Sequence, residues 1–240
     1  VPTPDDVGTQ RAVLDEQRRY YEARAPEYDD WFYRRGRYDR GAAVTATWFD
    51  EVDQVRTRLA GLNWAGRRVL ELAPGTGIWT RWLLEQGAVV SAVDGSPAMV
   101  AVLAESLGPR AGEVNVEIAD LFEWAPSERY DGVFFGFFLS HVPRARLADF
   151  VALVAAALAP GGVVGFVDSL AEATSTAADH ILPGSGQELM TRRLDDGREF
   201  RIVKNFYEPA EIEAAAAHAG LALSVTATAT YFLVGEGSRT

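Results

Sequence analysis

Residues 69–80 read VLELAPGTGIWT. Apolar Val69, Leu70 and Leu72 flank an acidic Glu71. Ala73-Pro74-Gly75-Thr76-Gly77 follows, and then a helix-like run from Ile78 to Gln86. This order is a strand, a tight glycine turn and a helix N-terminus. Glycine serves where a backbone turns sharply or approaches a ligand closely, because it has no Cβ to clash. The free N–H groups of the following helix favour partial negative charge on a ligand. The segment is suited to a nucleotide-like cofactor at the carboxyl end of a strand.

Strands and helices alternate outward from this loop. Val89–Val93 is an apolar strand ending at Asp94-Gly95-Ser96-Pro97, where Ser96 can cap a helix with Pro97 at its first position. Val114–Ile118 and Asp131–Phe135 read as further strands. Arg144–Leu158 reads as an amphipathic helix, with Leu147, Phe150, Val151, Val154 and Leu158 on one stripe. Val163–Val167 is the next strand, Pro209–Ala219 a helix with Gly220 as its cap, and Leu221–Ala227 and Tyr231–Val234 the closing strands. Before the loop, a loose start leads into helices over Thr9–Arg24, stopped by Pro26, and Arg37–Leu59. Alternation of this kind gives an α/β fold whose parallel sheet is covered on both faces. The last two strands are joined too tightly for a crossover helix and should form an antiparallel hairpin. One stretch interrupts the alternation: after a polar loop through Gly186, Leu189–Leu194 and Arg198–Val203 flank Asp195-Asp196-Gly197, a hairpin turn signal.

The chain has 240 residues and no break suggesting a second domain, so residues 1–240 read as one domain. It divides into N-terminal helices (1–66), a cofactor core (67–168), a substrate-shaping insertion (169–207) and a C-terminal helix with strands (208–240). Cysteine is absent and the three histidines, His141, His180 and His218, form no H-x-x-x-H pair, so no metal site is expected. A net charge of −11 argues against nucleic acid or an anionic membrane as partner. No apolar run reaches membrane-spanning length and the first ten residues are unlike a signal peptide, so a cytoplasmic location is expected.

Asp94 lies about 20 residues past the glycine loop, where an acidic group can accept from both ribose hydroxyls. Asp120, ending the next strand, can accept from an adenine amine, with Met99 and Leu121 against the ring. Glu71, Asp94 and Asp120 then surround one crevice. Three carboxylates repel a pyrophosphate and suit a ligand with ammonium or sulfonium charge.

In this respect the chain resembles the class I S-adenosylmethionine-dependent methyltransferases, in particular their small-molecule branch. The pieces ELAPGTG (71–77), AVDGSPAMV (92–100), IADLFEW (118–124), YDGVFFGFFLSHVP (130–143) and LAPGGVVGFVD (158–168) stand in family order, and YYEARAPEYDDW (20–31) resembles the family's N-terminal lid. The resemblance implies a Rossmann-like, doubly wound, seven-stranded sheet, mostly parallel, with S-adenosylmethionine as cofactor. It implies that Glu71 and the backbone of Ala73, Pro74, Gly75 and Gly77 lie by the methionine part and Asp94 with Gly95 on the ribose. Asp120, Leu121 and Met99 would hold the adenine and Phe137 would lie near the cofactor, with Tyr21 and Tyr28 closing over it. Ala73 stands where the family often has its first glycine.

For the acceptor side, His141 follows the fourth strand and has an ordinary pKa of ~6.5, so it can take a proton near neutrality. Trp31, Phe138 and Tyr207 could wall a pocket, Asp168 could polarise His141 or touch substrate, and Arg201 on the inserted hairpin could hold an acidic group. The expected activity is methyl transfer to a hydroxyl or amine of a small molecule, a specialised metabolite, with a homodimer contact through the aromatic N-terminal helices left open. Two alternatives stand beside it. One is a protein of the same fold that binds the cofactor without methylating, as a regulator or a cyclase using the bound sulfonium. The other is an NAD-dependent oxidoreductase, disfavoured because Thr80 occupies the third glycine position of G-x-G-x-x-G.

Overall fold

The computed structural model of the chain describes residues 4–184 and 186–240. Three helices come first: α1 (Pro4–Arg24), α2 (Tyr28–Phe32) and α3 (Ala42–Ala60). The core alternates β1 (Arg68–Leu72), α4 (Ile78–Glu85), β2 (Val89–Asp94), α5 (Pro97–Leu107), β3 (Asn115–Ile118), β4 (Tyr130–Gly136), α6 (Leu147–Ala157) and β5 (Leu158–Ser169). A separate hairpin, β6 (Leu189–Arg193) and β7 (Glu199–Val203), precedes α7 (Pro209–His218), β8 (Leu221–Ala227) and β9 (Phe232–Arg239).

Seven strands form one sheet in the order β3-β2-β1-β4-β5-β9-β8, and β6 and β7 pair apart from it. All pairs are parallel up to β5; β9 runs antiparallel to both β5 and β8. The chain leaves β1 toward β2 on one side and returns to β4 on the other. The strand order therefore reverses at β1, which opens a crevice beyond the carboxyl ends of β1 and β4.

Side-chain alternation divides the core between the two faces. On β1 and β4, Val69 and Phe134 join Trp48, Leu59, Trp64 and Trp82 under α3 and α4. Leu70, Leu72, Val133 and Phe135 join Val154 and Ile212 under α6 and α7. A smaller cluster of Tyr20, Met190, Leu194 and Ile202 seats α1 on the hairpin.

Several boundaries differ from the sequence reading. The first helix starts at Pro4, before the expected Thr9; residues 1–3 of the expected loose start lie outside the described residues, as does Ser185 in the loop through Gly186. The second long helix starts at Ala42 rather than Arg37, because Gly41 adopts φ 90° and breaks the chain before it, leaving a short 3-10 turn at Gly36–Tyr38. Likewise Arg144–Arg146 is a 3-10 turn leading into α6. Ser96 caps α5 as its position suggests, accepting from the Met99 N–H at 3.1 Å. No helix among the described residues is long and apolar enough to cross a membrane.

Candidate active site

The turn after β1 is tight: Ala73, Gly75 and Gly77 all have positive φ, at 54°, 57° and 87°. Ala73 holds this conformation against its Cβ, a strain of about 1 kcal/mol. Gly77 is needed for packing as well, since a Cβ there would lie 3.1 Å from both Leu103 and Ser106. Above this turn a cavity of about 760 Å3 opens at the carboxyl ends of β1, β2 and β4. Ala73, Gly75, Asp94 and Gly95 form its floor, and Met99, Asp120, Leu121 and Phe122 one end. Leu14, Gln17, Arg18 and Tyr21 of α1 roof it.

Asp94 accepts from the Gly75 N–H at 3.0 Å and the Ser96 N–H at 2.8 Å. Burial raises its pKa and these backbone donors oppose the rise. Its carboxylate is thus fixed at the cavity floor with lone pairs left for a diol. Asp120 accepts from the Phe122 N–H at 2.9 Å and pairs with Arg18 at 3.4 Å. Floor, carboxylate and apolar slot fit the ribose and adenine of S-adenosylmethionine.

Glu71, Pro74 and Gly77 do not line this cavity. Glu71 points to the α3 and α4 face, fully buried, and burial pushes its carboxyl up to about 8. Its Oε2 has no hydrogen-bond partner among the described residues. Burial favours its neutral form, and of the expected trio of carboxyl groups Asp94 and Asp120 line the cavity. The physical reason is the side-chain alternation of β1, which turns every second residue away from the crevice wall.

A second cavity, of about 440 Å3, adjoins the first. Tyr21, Tyr28, Phe137 and His141 line both. Phe137 adopts φ 59°, a strained conformation for a bulky residue, and its ring packs edge-on against Trp31 at 4.7 Å. Three buried cations face this second space: Arg24 from α1, Arg192 from β6, and Lys204 just past β7. Arg24 lies 4.8 Å over the Tyr28 ring and donates to the Tyr38 hydroxyl at 3.2 Å. Arg192 donates to His180 Nδ1 at 2.8 Å and to Thr176. Neither guanidinium is ion-paired to a carboxylate of a described residue, and the Nε of each has no hydrogen-bond partner among them. Lys204 donates to Ser140 Oγ at 2.8 Å, with Asp168 3.9 Å away. Burial first, then Arg192 and Arg24, lower its pKa to about 8 against the pull of Asp168. Among the described residues Asp168 is the one carboxylate within ion-pair distance of any of the three cations, which leaves the chamber short of negative charge.

His141 sits between the chambers. Its Nδ1 is 2.7 Å from the Val203 carbonyl oxygen and its Nε2 2.7 Å from the Tyr21 hydroxyl. Burial, followed by the Lys204 charge, holds its pKa well below 6.5. Asp168 makes no hydrogen bond to the ring; it accepts from the Ser140 N–H at 2.8 Å and the Ser169 N–H at 2.7 Å.

Of the other expected acceptor residues, Trp31 lines the second cavity and Phe138 the first. Arg201 and Tyr207 line neither. Arg201 is exposed and paired with Glu16 on α1 at 3.1 Å, because it alternates with inward-facing Phe200 and Ile202. Tyr207 donates to the Val142 carbonyl at 2.8 Å from within the core. Arg24 and Arg192 escaped the sequence reading. A signal for Arg192 existed, since strand alternation puts it on the face of Met190.

A family model described as a methyltransferase domain matches residues 44–224. The ubiquinone biosynthesis O-methyltransferase of Xylella fastidiosa (strain 9a5c) is 31% identical over 210 residues, covering 80% of this chain and 80% of that protein. Among solved structures, a DhpI-SAM-HEP complex is 36% identical with a TM-score of 0.74, covering 94% of this chain and 97% of DhpI. A DhpI-SAH complex gives 36% and 0.71, covering 94% and 96%.

Proposed function

The chain belongs to the class I S-adenosylmethionine-dependent methyltransferases, and from that premise we propose that it methylates an oxyanion of a small molecule held in the second chamber. The observation that carries this reading is the trio Arg24, Arg192 and Lys204, buried together with one carboxylate of a described residue, Asp168, within ion-pair distance. The O-methyltransferase name of the Xylella fastidiosa relative supports oxygen as the acceptor atom. The DhpI complex with both SAM and HEP supports a fold that holds a second molecule together with the cofactor.

Asp94 would hold the ribose, Asp120 the adenine amine, and the Ala73–Gly77 turn the methionine part. When bound, S-adenosylmethionine supplies a sulfonium methyl whose bonding electron pair stays on sulfur as the carbon passes to the acceptor oxygen. The protein's tasks are alignment and exclusion of water. An ionised oxygen needs no base, which suits His141: its Nε2 already accepts from Tyr21, and its lowered pKa makes it a poor proton acceptor. Tyr28 faces both chambers, and burial keeps its hydroxyl protonated. That hydroxyl makes no hydrogen bond to a described residue, so it is free to donate to the acceptor.

The test is incubation with S-adenosylmethionine and a panel of carboxylates, phosphoryl acids, phenols and amines, read by mass spectrometry for gain of one methyl. Methyl esters of the acids are expected. Methylation confined to neutral phenols or amines would refute the reading. A pH profile gives a second check. The Lys204 charge is present below about 8 and lost above it. Removing one charged hydrogen bond of about 1.5 kcal/mol or more should raise the acceptor KM about ten-fold between pH 7 and pH 9.5. Cofactor affinity should stay level, and Lys204→Met should start from the higher KM and lose this rise.

A further inference from the structure

We infer that Tyr21 and His141 act as an oriented pair, in which His141 holds the Tyr21 hydroxyl proton so that the Tyr21 oxygen turns its lone pairs toward the sulfonium methyl where the two chambers meet. The inference rests on the methyltransferase assignment and deepens the reading of the same site.

Hydrogen-bond polarity carries the argument. The Val203 carbonyl can only accept, so the His141 Nδ1 that lies 2.7 Å from it must carry the ring proton. A neutral imidazole has one such proton, which leaves Nε2 as an acceptor. The group 2.7 Å from Nε2 is the Tyr21 hydroxyl, which therefore donates. Burial keeps Tyr21 protonated, so after this bond its oxygen has only lone pairs to offer. Gln17, one turn earlier on α1, fixes the arrangement from both sides. Its Nε2 donates to the His141 carbonyl at 3.2 Å and its Oε1 accepts from the Val203 N–H at 3.0 Å.

Tyr21 and Tyr28 thus have opposite polarity at one junction. Their rings lie 6.3 Å apart. The Tyr28 hydroxyl has a proton to give and suits an anion. The Tyr21 oxygen repels an anion and suits the methyl hydrogens of a sulfonium, which carry partial positive charge. His141 is then a positioning residue rather than a base. A contact of this C–H···O kind contributes about 0.5–1 kcal/mol, which is roughly a two- to five-fold change in affinity.

The pair can be tested without any acceptor. Calorimetry would compare S-adenosylmethionine with S-adenosylhomocysteine, which lacks the methyl, on the wild-type chain and on Tyr21→Phe, His141→Asn and His141→Gln. Nitrogen-15 NMR of the histidines would report the tautomer. Expected are an Nδ1-protonated His141 from pH 6 to 8, and a preference for the methylated ligand that falls about two- to five-fold in Tyr21→Phe and His141→Asn. His141→Gln should keep the preference, since its amide oxygen reaches toward the position of Nε2. Affinity for S-adenosylhomocysteine should stay within about two-fold throughout, which also reports that the variants fold. An Nε2-protonated ring, an unchanged preference in Tyr21→Phe, or equal loss of both ligands would overturn the inference. If these results hold while no acid in the acceptor panel is methylated, the oxyanion reading alone fails.

Discussion

Arg192→Ala is expected to lower kcat/KM for an oxyanion acceptor about 10- to 100-fold, the equivalent of one lost charged hydrogen bond of about 1.5–3 kcal/mol. Arg192 is 8% exposed, and its Nη1 is held by Thr176 and His180. His180 cannot compensate the charge: burial and the arginines beside it push its pKa down to about 3, so it stays neutral. Without a carboxylate partner among the described residues, the Arg192 charge is available to a ligand. Arg192→Lys should recover only part of the loss, because an ammonium lacks the planar fork that meets two oxygens at once. Steady-state rates against the acids that prove to be substrates would measure the effect. Binding of S-adenosylhomocysteine serves as the control and should be unaltered, since Arg192 does not line the first cavity. An unchanged kcat/KM would remove Arg192 from acceptor recognition.

The second large effect concerns stability. Gly235 on β9 pairs with Phe166 on β5, and a Cβ added there would lie 1.9 Å from the Phe166 ring. The ring has little freedom to retreat, because it is stacked on Phe135 at 4.9 Å with an interplanar angle of 6°. Gly235→Ala must therefore shift the antiparallel half of the sheet or break this stack. The expected destabilisation is about 3 kcal/mol, at the upper end for overpacking. For a chain of this size that lowers Tm by about 6–12 °C. Thermal unfolding followed by circular dichroism would show it, and a shift under about 2 °C would contradict the close approach of β9 to Phe166.

Much of the architecture was legible in the chain because its signals are local. The Ala73–Gly77 turn, the Ser96-Pro97 cap and the alternation of apolar strands with helical stripes each depend on near neighbours, and together they fix the sheet and the floor of the cofactor cavity. Asp94, Met99, Asp120, Leu121 and Phe137 line one cavity because each lies at or shortly after the carboxyl end of a strand, Met99 in the first turn of α5. The second chamber was less legible. It exists only because α1 docks on β7 far along the chain, through contacts such as Gln17 with Val203 and Glu16 with Arg201. No local pattern states that Arg24 and Arg192 will face each other across that contact. Glu71 lies off the cavity lining for a related reason: its position beside the glycine turn is visible in the sequence, whereas its direction depends on which face of β1 carries the larger aromatic core.

The first helix ties the two chambers together. One rigid rod, pinned to β7 by Gln17 and to the start of α5 by Glu22, supplies Leu14 and Arg18 to one chamber and Arg24 to the other. Any displacement of that rod by an occupant of one chamber would be felt in the other, and reciprocity would make the resulting free-energy change equal in both directions.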